Sequence, residues 1–181
     1  MSFDALTGWE EAAEHVLPWT PGAPPRPGLC LAWETGCAPL MRVQGVEVVR
    51  INEVFAAHTI DVLMERGHQP GPMLINVPRR CVEVLLPLDS AAVWPPYRYT
   101  TCAAAALMKC PATEVTLASG RWVGGRTWTR SPGTGLPFTN ANALTGAVPE
   151  VLARWHVSFT ARIEGWAGDR LTPGPHRKDR P

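Results

Sequence analysis

The amino-acid sequence predicts an α+β fold, with a mixed or mostly antiparallel sheet built from hairpins and a few short helices. Short apolar runs recur along the chain, and turn residues separate them. Only a few segments space their apolar residues as a helix does. The 19 prolines and 16 glycines among 181 residues fall mainly between these runs, where they end helices and favour turns. A hydrophobic fraction of 45% excludes intrinsic disorder for the body of the chain.

The first 27 residues predict a helix followed by a proline-rich linker. Gly8–Leu17 places Trp9 and Val16 on one side and glutamates on the other, which is typical of an amphipathic helix. Five prolines lie within residues 18–27 and predict a stiff, extended connector. We therefore expect residues 28–160 to form the folded domain and residues 161–181 to form a C-terminal tail.

The first half of this domain predicts strands on both sides of one helix. Glu53–Arg66 has apolar residues at helical spacing, with Asn52 as its N-cap and Gly67 just beyond its end. Apolar composition predicts four strands, which are Leu29–Trp33, Val43–Ile51, Met73–Asn76 and Cys81–Pro87. The last two strands flank a Pro-Arg-Arg turn, so we expect them to pair as a hairpin.

The next segment predicts one helix and a second hairpin. Thr101 can cap a short helix over Cys102–Lys109, which Pro111 limits. Glu114–Leu117 and Arg126–Arg130 predict two strands that pair across a Gly-rich turn.

The C-terminal part predicts helix and then a loss of regular pattern. Thr139 can cap a short helical turn, and Pro149 suits the first position of a helix over Glu150–His156. Beyond Ser158 the helical pattern fades, so we expect residues 171–181 to be a mobile tail.

Charge and cysteine content exclude several classes of protein. Seventeen Lys and Arg against sixteen Asp and Glu give a net charge of +1, so any nucleic-acid contact must come from a local cluster of arginines. Five cysteines without a C-x-x-C motif, and an acidic Met1–Asp4 start instead of a basic signal region, favour a reducing cytoplasm. No apolar run is long enough to predict a membrane span.

Catalytic motifs are missing from the sequence. It contains no phosphate-binding G-x-x-x-x-G-K, no H-E-x-x-H and no G-x-S-x-G. We therefore expect no catalytic residue, no metal and no cofactor. The best cluster is basic and aromatic, because arginines with interleaved tryptophans can grip phosphates and stack on bases. Its members, the candidate nucleotide- or nucleic-acid-binding residues, are Arg79, Arg80, Arg121, Arg126 and Trp128. The alternative is ordinary hairpin chemistry, in which Trp128 packs on the sheet and the arginines stay in solvent.

Six short stretches, taken in their order along the chain, carry a family resemblance. They are 29–36 (LCLAWETG), 46–53 (VEVVRINE), 60–64 (IDVLM), 71–75 (GPMLI), 84–87 (VLLP) and 124–128 (GGRTW). This order resembles small actinobacterial proteins related to the N-terminal domain of bifunctional DNA primase–polymerases, which belong to the archaeo-eukaryotic primase superfamily. The resemblance implies the fold of that domain over residues 28–130.

The resemblance also implies that the family's catalytic ligands are missing. Active members carry Asp-x-Asp at the end of the central strand for metal ions, and a Gly-x-His-like motif at the next hairpin. The corresponding segments here are Arg50-Ile51-Asn52-Glu53 and Pro78-Arg79-Arg80-Cys81. An amide or a guanidinium at these places removes the hard, charged ligands that Mg²⁺ prefers. The resemblance therefore implies that the chain has the family's fold but does not polymerise nucleotides.

Together these points predict a cytoplasmic, catalytically degenerate primase–polymerase-like protein. We expect it to act as a binding or regulatory module for a nucleotide or for single-stranded nucleic acid such as single-stranded DNA. The alternative is a protein–protein interaction module without nucleic-acid binding, which the nearly neutral charge favours. An unrelated enzyme that uses Cys81 or His58 ranks below both.

Overall fold

The computed structural model describes the backbone of residues 16–171 and the side chains of residues 16–156. Most of the helix predicted over Gly8–Leu17 therefore lies outside the described residues, and Leu17 begins a strand instead. Residues 172–181 of the predicted tail also lie outside them.

Four helices and eight strands in the described residues form the predicted α+β fold. The helices are α1 (Pro27–Glu34), α2 (Glu53–Glu65), α3 (Ser90–Val93) and α4 (Ala141–Leu171). The strands are β1 (Leu17–Trp19), β2 (Leu40–Val43), β3 (Glu47–Asn52), β4 (Met73–Asn76), β5 (Cys81–Leu86), β6 (Thr100–Ala103), β7 (Leu107–Lys109) and β8 (Arg126–Arg130). A single 3₁₀ turn over Val77–Arg79 joins β4 to β5.

The strands form two sheets. The larger sheet has the order β6-β3-β5-β4-β8 and is antiparallel throughout. The smaller sheet has the order β1-β2-β7, with β1 parallel to β2 and β2 antiparallel to β7. The hairpin predicted from Met73–Asn76 and Cys81–Pro87 is confirmed as β4 and β5.

Both faces of the larger sheet are buried. Because successive side chains of a strand point to opposite faces, Val48 and Val49 of β3 enter different cores. Val49 packs with Leu63 of α2 and Leu144 of α4. Val48 packs with Leu29 of α1 and with residues of the smaller sheet. The two cores hold the larger sheet between a helical layer and the smaller sheet.

Helix α2 begins where the sequence predicts and ends one residue earlier. The Asn52 side-chain oxygen accepts a hydrogen bond from the backbone N–H of Val54 at 3.1 Å, which satisfies one free donor of the first turn. Gly67 follows the helix with φ of 78°, a conformation that glycine adopts without steric cost. The last helical residue is Glu65, one before the predicted end.

Two predicted strands near the N-terminus are wrong in type or extent. Leu29–Trp33 lies within helix α1, because Pro27 suits the first helical turn and a short apolar run does not distinguish a strand from a buried helix. Val43–Ile51 is not one strand, because a turn with Gly45 at φ of 75° divides it between β2 and β3.

The helix predicted over Cys102–Lys109 is also wrong. The segment forms β6 and β7, separated by a turn in which Ala105 has φ of 48°. Pairing of β6 with β3 and of β7 with β2 outweighs the high helix propensity of the alanines, which differs from that of ordinary residues by less than about 1 kcal/mol per residue. Glu114–Leu117 contributes one isolated bridge between Thr116 and Trp128, and β8 pairs with β4 instead.

The C-terminal helix differs from its prediction in start, length and cap. Asn140 caps α4 by accepting from the Ala143 N–H at 3.0 Å, whereas the Thr139 hydroxyl accepts from the Gly71 N–H at 2.8 Å. Pro149 lies inside α4, and the helix continues past Ser158 to Leu171. None of the helices in the described part of the chain is long and apolar enough to cross a membrane.

Candidate functional site

A buried carboxylate lies at the centre of the larger sheet. The side chain of Glu83 on β5 is fully buried and accepts hydrogen bonds from Arg50 Nε at 2.8 Å and from Asn76 Nδ2 at 3.1 Å. The Arg79 guanidinium lies 4.0 Å from the same carboxylate. A buried charge needs such partners, because leaving it unpaired costs several kcal/mol. Glu83 therefore fixes the positions of Arg50 and Asn76.

Strand register places further polar side chains beside this group. Asn52, Cys81, Asn76 and Arg126 are successive Cα partners across four strands, so their side chains share one face of the sheet. The row lies at the end of the hairpin that carries the 3₁₀ turn. This polar row therefore lies next to the Arg50–Glu83 pair on the same face of the sheet.

An open pocket with a volume of about 440 Å³ lies at this end of the sheet. Its lining combines three arginines with neutral polar and aromatic residues. The lining residues are Arg50, Asn52, Arg79, Arg80, Cys81, Tyr99, Thr100 and Thr101. Three neighbouring strands of the larger sheet position this lining. They are β3, β5 with the turn that precedes it, and β6 with the residue that precedes it.

The three pocket arginines differ in how far their hydrogen bonds are already used. Arg50 donates to Glu83 and also from NH2 to the Leu107 carbonyl at 2.9 Å. Arg80 donates from Nε to Glu53 at 2.7 Å. Arg79 is half exposed, and within the described residues its guanidinium makes no hydrogen bond. Arg79 is therefore the arginine most available to a ligand.

Two residues of the pocket have left-handed backbone conformations. Arg80 has φ of 52° and Tyr99 has φ of 68°, values that cost a non-glycine residue roughly 1–2 kcal/mol. The carbonyl of Arg80 accepts from the Glu53 N–H, and the carbonyl of Tyr99 accepts from the Asn52 N–H, both at 3.0 Å. The end of β3 thus holds both strained residues, and strain of this kind clusters at functional sites.

The thiol of Cys81 does not favour nucleophilic chemistry. Burial and, to a smaller extent, the nearby Glu83 carboxylate raise the pKa of Cys81 to about 11, against the opposing effect of the arginines. A nucleophilic cysteine needs a thiolate near neutral pH. His58, the other residue considered for an unrelated enzyme, lies exposed on α2.

The structure brings together some of the sequence-predicted site residues and separates others. Arg79 and Arg80 line the pocket. The Gly-rich turn before β8 lies next to the turn that carries Arg79 and Arg80, because the Val77 N–H donates to the Gly125 carbonyl at 3.0 Å. Arg121 on that turn is exposed and is not among the pocket-lining residues.

Arg126 and Trp128 are buried, which differs from the predicted binding role. Arg126 NH1 donates to the Gly124 carbonyl at 2.6 Å, and its Nε has no hydrogen-bond partner among the described residues. Trp128 is fully buried and donates from Nε1 to the Pro111 carbonyl at 3.2 Å. Its ring therefore packs in the core, as the alternative interpretation predicted, and offers no surface to a base. That interpretation also left the arginines in solvent, whereas Arg126 is buried.

Sequence reasoning missed Arg50 and Glu83, although a signal was present. Each is a charged residue with apolar neighbours on both sides in its strand, and burial of such a charge is rare unless it is paired. Opposite charges in two neighbouring strands predict a cross-strand pair. Tyr99 had no comparable signal, because its position depends on a strained turn.

The positions that the family resemblance assigns to metal ligands are already engaged. Asn52 caps α2, and Arg50 is paired with Glu83. Across the described residues, no three His, Cys, Asp or Glu side chains lie close enough together to hold a metal ion. Comparisons of the chain with protein-family models, with curated proteins and with solved structures found no match.

Proposed function

We propose that this chain is a binding or regulatory module, resembling a degenerate primase–polymerase domain, whose arginine pocket holds a phosphate-bearing ligand. The ligand is a nucleotide or single-stranded nucleic acid. One observation carries the proposal: Arg50, Arg79 and Arg80 meet at one open pocket, where the fully buried Glu83 carboxylate holds Arg50 and the Glu53 carboxylate holds Arg80.

The chemistry of the pocket suits a phosphate group. A guanidinium presents its donors in a planar fork that matches two phosphate oxygens. Thr101 lies opposite Arg50 in the β3–β6 pairing and is exposed, so its hydroxyl adds a neutral donor. A pre-positioned arginine loses little side-chain freedom on binding, which favours affinity.

Binding to a fluorescent thymidine oligonucleotide at low salt tests this proposal. We expect the Arg79→Ala/Arg80→Ala double variant to weaken binding at least about tenfold, because each charge-assisted hydrogen bond contributes about 1.5–3 kcal/mol. Arg42→Ala is the matched control, since Arg42 is exposed on β2 and is not among the pocket-lining residues. Equal affinity of the double variant and the wild type would contradict the proposal.

The degenerate character of the domain has its own test. We expect no primer extension with Mg²⁺ or Mn²⁺, because Arg50 and Asn52 stand where the resembled family has carboxylates. Robust extension that is abolished by Glu53→Gln would show that the remaining acid is catalytic and would overturn this part of the proposal.

A second candidate function is protein–protein interaction, and an apolar groove favours it. The groove has a volume of about 490 Å³ and runs along α2, with Ile60 and Met64 on one side and Ile75 of β4 as part of its floor. Contiguous exposed apolar surface is typical of a docking site. Retention of a protein partner by the wild type and not by Ile60→Glu, with no DNA retained by either, would favour this function over the first.

A further inference from the structure

We infer that the pocket takes a single phosphate group carried next to a flat ring, in preference to a triphosphate. This is the chemistry of a nucleoside monophosphate or of one nucleotide unit within a single strand. The inference rests on the proposed function and narrows the class of ligand that the same pocket binds.

Charge balance within the pocket limits the number of phosphate groups. Glu83 is paired with Arg50, and Glu53 is paired with Arg80. Arg79 is the pocket arginine whose charge has no direct carboxylate contact shorter than 4.0 Å. Three pocket arginines therefore face two carboxylates, and this excess of one positive charge suits one phosphate group better than the several charges of a triphosphate.

A layer of planar groups lies beside the arginines. The Tyr99 ring stacks on Phe55 at a centroid distance of 4.5 Å and an interplanar angle of 21°. The exposed Arg98 guanidinium lies 4.9 Å from the centroid of the Tyr99 ring. Tyrosine rings and arginine planes are the surfaces on which bases stack. A base can therefore extend the stack or take the place of Arg98 on Tyr99.

The end of β3 ties the stacking layer to the phosphate-binding turn. Consecutive backbone N–H groups, of Asn52 and Glu53, donate to the carbonyls of Tyr99 and Arg80, respectively. The two parts are thus held at a fixed spacing by adjacent residues. A ligand that carries both a phosphate and a ring meets a pre-formed site for each.

Titration with inorganic phosphate, thymidine monophosphate and thymidine triphosphate, without divalent metal, tests the inference. We expect the monophosphate to bind roughly tenfold more tightly than inorganic phosphate, because stacking adds to the phosphate contact. We expect the triphosphate to bind no more tightly than the monophosphate. An oligothymidylate without terminal phosphates distinguishes the two sources: tighter binding than the monophosphate assigns the site to a strand, and weaker binding assigns it to a free nucleotide.

Variants of the stacking layer separate this inference from the proposed function. Tyr99→Ala should reduce monophosphate affinity to that of inorganic phosphate, while Tyr99→Phe should retain it. Unchanged binding of inorganic phosphate shows that the pocket is intact in each variant. Arg98→Ala, in the same stacking layer, should reduce monophosphate affinity less than Tyr99→Ala does. Equal affinity of wild-type protein for inorganic phosphate and monophosphate, or tenfold tighter triphosphate binding, would overturn the inference alone. Failure of all ligands to bind would overturn the proposed function as well.

Discussion

At the scale of single residues, the site depends on a charge that the fold has removed from water. Glu83 is fully buried in a sheet between two apolar cores, and Arg50, Asn76 and Arg79 surround it. Removing one partner of a buried ion pair destabilises the fold by more free energy than the intact pair contributes, because the other charge is left buried and uncompensated. The same geometry that stabilises Glu83 holds Arg50 in the pocket.

We predict that Glu83→Gln lowers the free energy of unfolding by about 3 kcal/mol, the lower range for breaking a buried pair. Glu53→Gln is the control, because the Glu53–Arg80 pair is largely exposed and should contribute less than about 1 kcal/mol. Urea denaturation of both variants measures the difference. Similar losses in the two variants would show that burial does not distinguish these carboxylates.

Arg80 combines a binding role with a strained backbone. We predict that Arg80→Gly is more stable than Arg80→Ala by about 1 kcal/mol, because φ of 52° suits glycine. Both variants lack the guanidinium, so both should bind oligonucleotide with the same reduced affinity. Thermal denaturation and binding assays together separate the two contributions, and an alanine variant as stable as the glycine variant would argue against strain at Arg80.

At the scale of secondary-structure elements, an ion-pair network connects α2 to α4. Glu150 accepts hydrogen bonds from Arg66 and Arg154, and Arg154 also lies 3.4 Å from Glu65. Desolvation raises the pKa of Glu150, but the hydrogen bonds from the two arginines outweigh it and hold the pKa below its ordinary value. Because the folded-state pKa is lowered, the stabilisation is present above the unfolded pKa and is lost as the pH falls through the folded one.

We predict that Glu150→Gln has a lower Tm than the wild type at pH 7 and that the difference disappears on acidification below pH 4.5, the unperturbed value. The network is exposed, so the effect should also weaken in high salt. Thermal denaturation across pH measures both dependences. A Tm difference that stays constant down to pH 2 would show that Glu150 acts through packing and not through charge.

At the scale of the whole molecule, the nearly neutral net charge of +1 limits how nucleic acid can bind. A pocket that contacts one or two phosphates releases few counter-ions. We predict that the logarithm of the association constant falls with the logarithm of salt concentration with a slope of about −0.7 to −1.4. Fluorescence titration of a thymidine oligonucleotide between low and moderate salt measures this slope. A slope of about −5 or steeper would indicate an extended basic surface instead of a pocket.

Short-range sequence signals, such as capping residues and turn residues, determined the local features of this fold. The cap at Asn52, the end of α2 near Gly67 and the β4–β5 hairpin all follow from short-range chemistry, and all are confirmed. Arg79 and Arg80 line the pocket for a similar local reason, since a Pro-Arg-Arg turn between two paired strands exposes its side chains.

The tertiary structure decided what local signals could not. Cys102–Lys109 is extended because distant strands pair with it, and the apolar run Leu29–Trp33 does not by itself distinguish a strand from the helix that packs on the core. Trp128 is buried because β1 and the segment before β8 cover it. The alternating sequence of β8 alone is also compatible with a strand at the surface. Arg50, Glu83 and Tyr99 meet the Arg79–Arg80 turn through strand register and a strained backbone. Such contacts join residues that are far apart in the sequence, so no short stretch of the chain contains the information that predicts them.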